Sequence, residues 1–117
     1  MRRPSDRREL WRPWREHVEQ GGPWAFDFHA PQCGRFKAKR NGQWVGVQID
    51  LTPGETDDDG ELISDEALVA FIGTEKFTGE RVFSIWEKCG DKPINDIEFR
   101  RLAGLPAQVD LTRDVIT

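Results

Sequence analysis

The chain has 117 residues, 37% hydrophobic and 32% charged, a size and composition typical of one small domain. No stretch approaches the run of about 18 apolar residues that a membrane helix contains, so the sequence predicts no membrane span. The net charge of −4 is uneven: residues 1–54 carry ten basic and six acidic side chains (+4), whereas residues 55–117 carry seven and fifteen (−8). Such an asymmetry can orient a protein on a charged partner.

We predict a single domain over 1–117, which divides into three ranges: an N-terminal helical arm over 1–21, an α+β core over 22–104 and a tail over 105–117. The two cysteines, Cys33 and Cys89, are too few for a disulfide scaffold, and neither belongs to a CxxC pair. We therefore expect two free thiols, as in a cytoplasmic protein.

The N-terminal segment predicts a short helix. Asp6 and Glu9 have the spacing of a capping box, and Gly21 ends the pattern. The apolar positions at helical intervals are Leu10, Trp11, Trp14 and Val18. Pro13 lacks an N–H, so the helix is expected to kink there or to begin only near Arg12. In the aromatic segment 22–34 that follows, Trp24, Phe26 and Phe28 predict a short edge strand or a loop held by its rings.

The clearest local signal is Asn41-Gly42, a pair that favours the type I′ turn of a β-hairpin. The arms are residues 34–40 and 43–51. Alternation predicts a buried face that contains Val45, Val47, Ile49 and Leu51. The opposite face would remain outside as a basic surface with an aromatic ring, and its candidate binding residues are Arg35, Lys37, Lys39, Arg40 and Trp44.

The C-terminal half predicts one more strand and two helices. Leu68 to Ile72 favours a strand, with Gly73 closing a hairpin-like turn. Thr78 is the expected cap of a helix whose apolar stripe contains Val82, Ile85, Trp86 and Cys89 and which ends at Gly90. Asn95 and Glu98 cap a shorter helix that ends at Gly104. The predicted fold class is therefore α+β: a small antiparallel sheet built on the hairpin, with short helices at the N-terminus and in the C-terminal half.

The acidic segment ETDDDGELISDE resembles a twelve-position calcium loop, because alternating carboxylates surround a glycine. The candidate calcium ligands are Glu55, Asp57, Asp59, Glu61 and Glu66. Two features argue against calcium: the first position is Glu where Asp is usual, and a strand precedes the segment where a helix is expected. A solvated Asp-Gly turn is the simpler interpretation, so calcium is a minority hypothesis and the only cofactor considered.

The sequence contains no complete catalytic motif, so we predict no catalytic residues and no enzyme activity. His17, His29, Cys33 and Cys89 do not have the spacing of a zinc site, and no neighbouring base is apparent for a nucleophilic thiol. There is also no GxSxG, HExxH or glycine-rich phosphate loop.

The composition of the basic hairpin face is typical of a surface that contacts phosphates and stacks on bases, although a chain with an isoelectric point near 5.2 is acidic for a nucleic-acid-binding protein. We predict a non-catalytic binding or adaptor protein whose partner is a host protein or nucleic acid, with no membrane involved. One alternative is an inhibitor whose acidic half imitates nucleic acid or occupies a basic groove. Another is a divalent-cation-binding protein or small enzyme.

The order of features over residues 34–102 resembles that of small uncharacterised proteins carried by bacteriophages and prophages. These features are GRFKAKRNGQWVGVQI, an acidic turn, SDEALVAFIG, and a Trp and a Cys ahead of PINDIEFRRL. The resemblance implies a bacterial cytoplasmic setting and a role in replication, host takeover or counter-defence, and it carries no defined activity.

Overall fold

A computed structural model describes residues 5–52 and 54–104 of the chain, so the predicted tail over 105–117 lies outside the described residues. Its elements in chain order are α1 (Arg7–Gln20), β1 (Gly34–Arg40), β2 (Gln43–Thr52), β3 (Ala67–Ile72), β4 (Glu75–Phe77), α2 (Glu80–Cys89) and α3 (Asp96–Leu102). The four strands form one antiparallel sheet in the order β1-β2-β3-β4, which confirms the predicted α+β fold. Within these ranges, no helix has the length and apolar character needed to cross a membrane.

The β1–β2 hairpin forms in the predicted register. Asn41 and Gly42 have φ angles of 54° and 80°, which are the positive values that a type I′ turn requires. Lys39 pairs with Trp44, so the turn contains only the two residues between strands. The predicted strand at Leu68 to Ile72 is confirmed as β3, and a turn at 73–74 adds the short strand β4.

The main core lies between one face of the sheet and α2. Its buried side chains are Phe36, Ala38, Val47, Ile49 and Ala70 from the strands and Val82, Trp86 and Cys89 from the helix. Trp86 is fully buried and packs edge-on against Phe36 with ring centroids 5.2 Å apart. The stripe predicted for α2 therefore forms the core, except that Ile85 is only partly buried.

The sequence predicted that the other face of the sheet would remain exposed. In the structure, helices cover part of it. Phe99 of α3 lies over Gly46, and a Cβ atom there would be 3.0 Å from the Phe99 ring. Near the C-terminal end of β2, Asp50 accepts a hydrogen bond of 3.0 Å from the indole N–H of Trp11. The prediction of a fully exposed outer face is therefore wrong, because α3 covers the middle of the hairpin at Gly46 and α1 contacts Asp50 near the C-terminal end of β2.

Helix α1 begins at Arg7 after the cap at Asp6 and ends at Gly21, so Pro13 lies inside it and the predicted start near Arg12 is wrong. The cap and the end are as predicted. Trp11 and Trp14 are both buried on either side of the proline. Their packing against the sheet outweighs the backbone hydrogen bond that the proline cannot donate.

Of the two alternatives predicted for the aromatic segment, the structure shows the loop held by its rings. Residues 22–33 contain no strand, and Trp24 and Phe26 pack on Trp86 with ring centroids 6.5 and 5.5 Å apart. The N-cap of α2 is Gly79 rather than Thr78, with no side-chain hydrogen bond. The predicted cap of α3 is confirmed, since the Asn95 side chain accepts from the Glu98 N–H at 2.8 Å.

Candidate functional site

The tip of the hairpin carries a cluster of two lysines and a tryptophan. The Nζ atoms of Lys37 and Lys39 lie 4.8 and 5.2 Å from the centroid of the Trp44 ring, within the range of cation–π attraction. Trp44 retains 40% of its surface exposed, and Lys39 is exposed as well. Lys37 also approaches Glu98 of α3 at 3.5 Å. We call Lys37, Lys39 and Trp44 the hairpin face.

Arg35 was predicted to belong to the same surface, but the structure gives it a packing role. Its guanidinium forms an ion pair with Asp96 and donates to Gln48, and only 23% of the side chain is exposed. It also lies 5.1 Å from the ring of Phe99 and 5.6 Å from that of Trp11. A guanidinium held by these neighbours joins α1 and α3 to the sheet.

Arg40 points to the opposite side of the hairpin, because side chains alternate along a strand. There it forms an ion pair with Glu75 of β4 at 3.0 Å. The five predicted binding residues are therefore not one surface. Three form the hairpin face, one is held within the fold, and one borders a different depression.

That depression is a groove between α2 and the hairpin, with a volume of about 290 Å³. We call it the α2 groove. Its apolar lining is contributed by Ala38, Val45, Ile72, Phe77 and Ile85, and the cations that line it are Lys39, Arg40, Arg81 and Lys88. In the described part of the chain no carboxylate forms an ion pair with Arg81 or Lys88. The groove is thus apolar inside and positively charged outside.

The acidic segment lies at the other end of the sheet, between β2 and β3. Residues 55–66 include seven acidic and no basic side chains, so the charge asymmetry of the sequence is also a spatial separation. The segment closes as a small turn, in which Thr56 and Leu62 form a bridge and Leu62 is buried. Ile63, the next residue, is 63% exposed. We call residues 54–66 the acidic loop.

The five candidate calcium ligands do not form a metal centre. Asp57 accepts hydrogen bonds from the backbone N–H groups of Asp59 and Glu61, at 3.0 and 2.9 Å, and so stabilises the turn itself. The carboxylate of Glu66 accepts from the backbone N–H and hydroxyl of Ser5, and Glu55 contributes its carbonyl oxygen to the backbone N–H of Ile63. Over residues 5–52 and 54–104, no three His, Cys, Asp or Glu side chains are placed to hold an ion.

The two cysteines are free, as predicted, and both are buried. Burial raises the pKa of the Cys33 thiol to about 12, with a further contribution from the nearby Asp50 carboxylate. Burial likewise raises the pKa of Cys89 to about 12. Both groups are therefore protonated thiols at neutral pH, which are poor nucleophiles and poor metal ligands.

The two histidines make local contacts. Nδ1 of His17 lies 2.7 Å from the carbonyl oxygen of Gly22, at the end of α1, and the ring packs near Trp24. His29 lies in an exposed turn, where its backbone N–H donates to Asp27.

Sequence reasoning did not identify the face of α2 that lines the groove as part of a site. Arg81, Ser84, Ile85 and Lys88 recur at i, i+3, i+4 and i+7, which places them on one face of α2. This spacing was visible in the sequence beside the buried stripe. What the sequence did not indicate is that the hairpin tip lies opposite this face.

Comparison of the chain with protein-family models, with curated proteins and with solved structures finds no significant match in any of the three.

Proposed function

We propose that the chain is a non-catalytic adaptor that binds an acidic surface of a partner protein through the hairpin face. The observation that carries this proposal is the half-exposed Trp44 between two lysines, at the end of the molecule opposite the acidic loop. A large exposed aromatic ring such as Trp is typical of the energetically dominant residues of protein interfaces. The field of the whole molecule would direct this end toward negative charge.

An acidic protein fits the hairpin face better than nucleic acid does. Both lysine ammonium groups lie near the Trp44 ring, so they compete with a nucleotide base for it. Lys37 is already close to Glu98, whereas tight binding to nucleic acid usually requires several unpaired cations. A bacterial host protein as partner, in a phage or prophage setting, follows from the resemblance described above and is part of the proposal.

The acidic loop supports a second candidate, an inhibitor whose carboxylates occupy a basic groove of a host protein. The supporting observation is the exposed Ile63 in a loop of seven acidic residues, because protein interfaces combine an apolar centre with a polar rim. The two candidates use opposite ends of the sheet and can be distinguished.

Photo-crosslinking in bacterial cells tests the proposal. The residue p-benzoylphenylalanine is introduced in place of Trp44 in one variant and of Asp58 in another, and adducts are identified by mass spectrometry with and without nuclease treatment. We expect a protein adduct at position 44 that Lys39→Glu abolishes. Arg8→Glu, a reversal of an exposed cation on α1, is the matched control and should retain the adduct.

Three results would count against this proposal. A nuclease-sensitive adduct at position 44 would indicate a nucleic acid partner instead. An adduct formed only at position 58 would favour the inhibitor. The absence of any adduct that depends on Lys39 would remove the hairpin face as the binding surface.

A further inference from the structure

We propose that the α2 groove of one copy of this chain binds the acidic loop of a second copy, with Ile63 inserted between α2 and the hairpin. The structure contains two surfaces of complementary polarity and charge. One is an apolar depression bordered by cations, and the other is an exposed aliphatic side chain among carboxylates. This contact does not require the partner proposed for the hairpin face, although Lys39 belongs to that face and also lines the groove.

The groove has the chemistry to accept an aliphatic side chain. Its interior is formed by Val45, Ile72 and Ile85 together with the ring of Phe77, and its volume of about 290 Å³ is larger than one such side chain. Because Arg81 and Lys88 form no ion pair in the described part of the chain, both can contact carboxylates without first breaking an internal pair.

The conformation of the acidic loop is fixed by contacts within the chain before any binding. Leu62 is buried beneath the loop, and the Asp57 carboxylate fixes the turn through two backbone hydrogen bonds. These contacts leave Ile63 pointing outward, with 63% of its surface exposed. A preorganised loop loses little conformational freedom on binding, so a small contact can still be stable.

The loop cannot reach the groove of its own molecule. Val45 borders the groove near the start of β2, and the loop begins after Thr52 at the strand's other end. Seven residues of extended strand separate these points by roughly 23 Å. The two surfaces can therefore meet only between copies. Since they are different surfaces, each copy can use its groove for one neighbour and its loop for another.

Analytical ultracentrifugation of the full chain at increasing concentration tests this inference. We expect reversible association with a dissociation constant between about 10 µM and 1 mM, because the contact is small. Raising the salt concentration should weaken it, since the charges lie at the surface. Ile63→Ser and Arg81→Glu should each weaken association at least about tenfold, given the apolar area or charge removed. Lys76→Glu, a reversal of an exposed cation on the opposite face, should leave it unchanged.

A mixing experiment separates this contact from other modes of association. The Ile63→Ser chain keeps an intact groove and the Arg81→Glu chain keeps an intact loop, so the two together should form a complex at concentrations where each alone associates at least about tenfold more weakly than the wild type. A wild-type chain that is monomeric at about 1 mM would overturn the inference. So would association that either substitution leaves intact, or a mixture that fails to form the complex.

Discussion

The base and the tip of the β1–β2 hairpin have similar sequences and different roles. At the base, Arg35 is ion-paired, stacked on aromatic rings and only 23% exposed. Four residues further along the same face, Lys39 is exposed, and its ammonium group lies 5.2 Å from the centroid of the Trp44 ring. The difference arises from the helices, which cover the base and leave the tip uncovered. The comparison shows that one basic strand can carry both cations that stabilise the fold and cations that remain exposed for binding. Whether a helix packs over the cation decides which role it has.

The largest expected effect contrasts two tryptophans. Trp86→Ala removes a fully buried ring from the core and should lower the free energy of unfolding by about 3–5 kcal/mol. Trp44→Ala removes a ring that is 40% exposed at the tip, and should lower it by less than about 1 kcal/mol. Urea denaturation followed by far-ultraviolet circular dichroism measures both. If Trp44→Ala destabilises as strongly as Trp86→Ala, the tip is structural and its proposed binding role loses its basis.

A smaller effect is expected for the two cations. Arg35→Met keeps an unbranched apolar stem but removes the guanidinium that contacts Asp96 and the rings of α1 and α3, and should destabilise the fold by about 2 kcal/mol. Lys39→Met should change stability by less than about 0.5 kcal/mol, because Lys39 is exposed. Thermal denaturation of the two variants side by side provides the test, and equal melting temperatures would contradict the distinction between base and tip.

The smallest effect concerns Asp50 at the far end of β2. Burial would raise its pKa, but hydrogen bonds from Arg7, Trp11 and the backbone N–H of Leu51 outweigh burial and lower it. Its charged form therefore stabilises the fold above the unfolded-state pKa of about 3.9, and this contribution is lost as the pH falls through the lower folded-state pKa.

Asp50→Asn should accordingly reduce stability by about 1 kcal/mol at pH 7. The difference from the wild type should be constant between about pH 5 and 7 and shrink below about pH 4. Melting temperatures measured across this range check the prediction, with Asp58→Asn in the exposed acidic loop as the matched variant. A difference that stays the same at low pH would show that the Asp50 charge does not hold α1 in place.

Much of the fold was predictable because its signals are local. The turn at Asn41-Gly42, the cap at Asn95 and the end of α1 at Gly21 each depend on residues within a few positions of one another. Alternation predicted the buried face of β2 for the same reason. The exceptions were decided by packing: Pro13 is tolerated because Trp11 and Trp14 hold α1 on the sheet.

The candidate site was only partly predictable. The sequence identified the lysines and the tryptophan of the hairpin face, because cross-strand pairing follows from the turn. It could not show that Arg40 faces the α2 groove and pairs with Glu75, since that depends on where β4 and α2 lie. Nor could it show that the acidic loop forms a self-supported turn rather than a metal centre.

By itself, the sequence determined the β1–β2 hairpin and β3, the caps of α1 and α3, and the separation of charge, all of which arise from neighbouring residues or from composition. Only the tertiary structure decided which charged groups pair within the fold and which remain exposed for a partner. Arg7 meets Asp50 across 43 residues of chain, and Arg35 meets Asp96 across 61. Partners so distant are brought together by the packing of helices on the sheet, because burial of apolar surface fixes those positions and the charges then pair where they are placed.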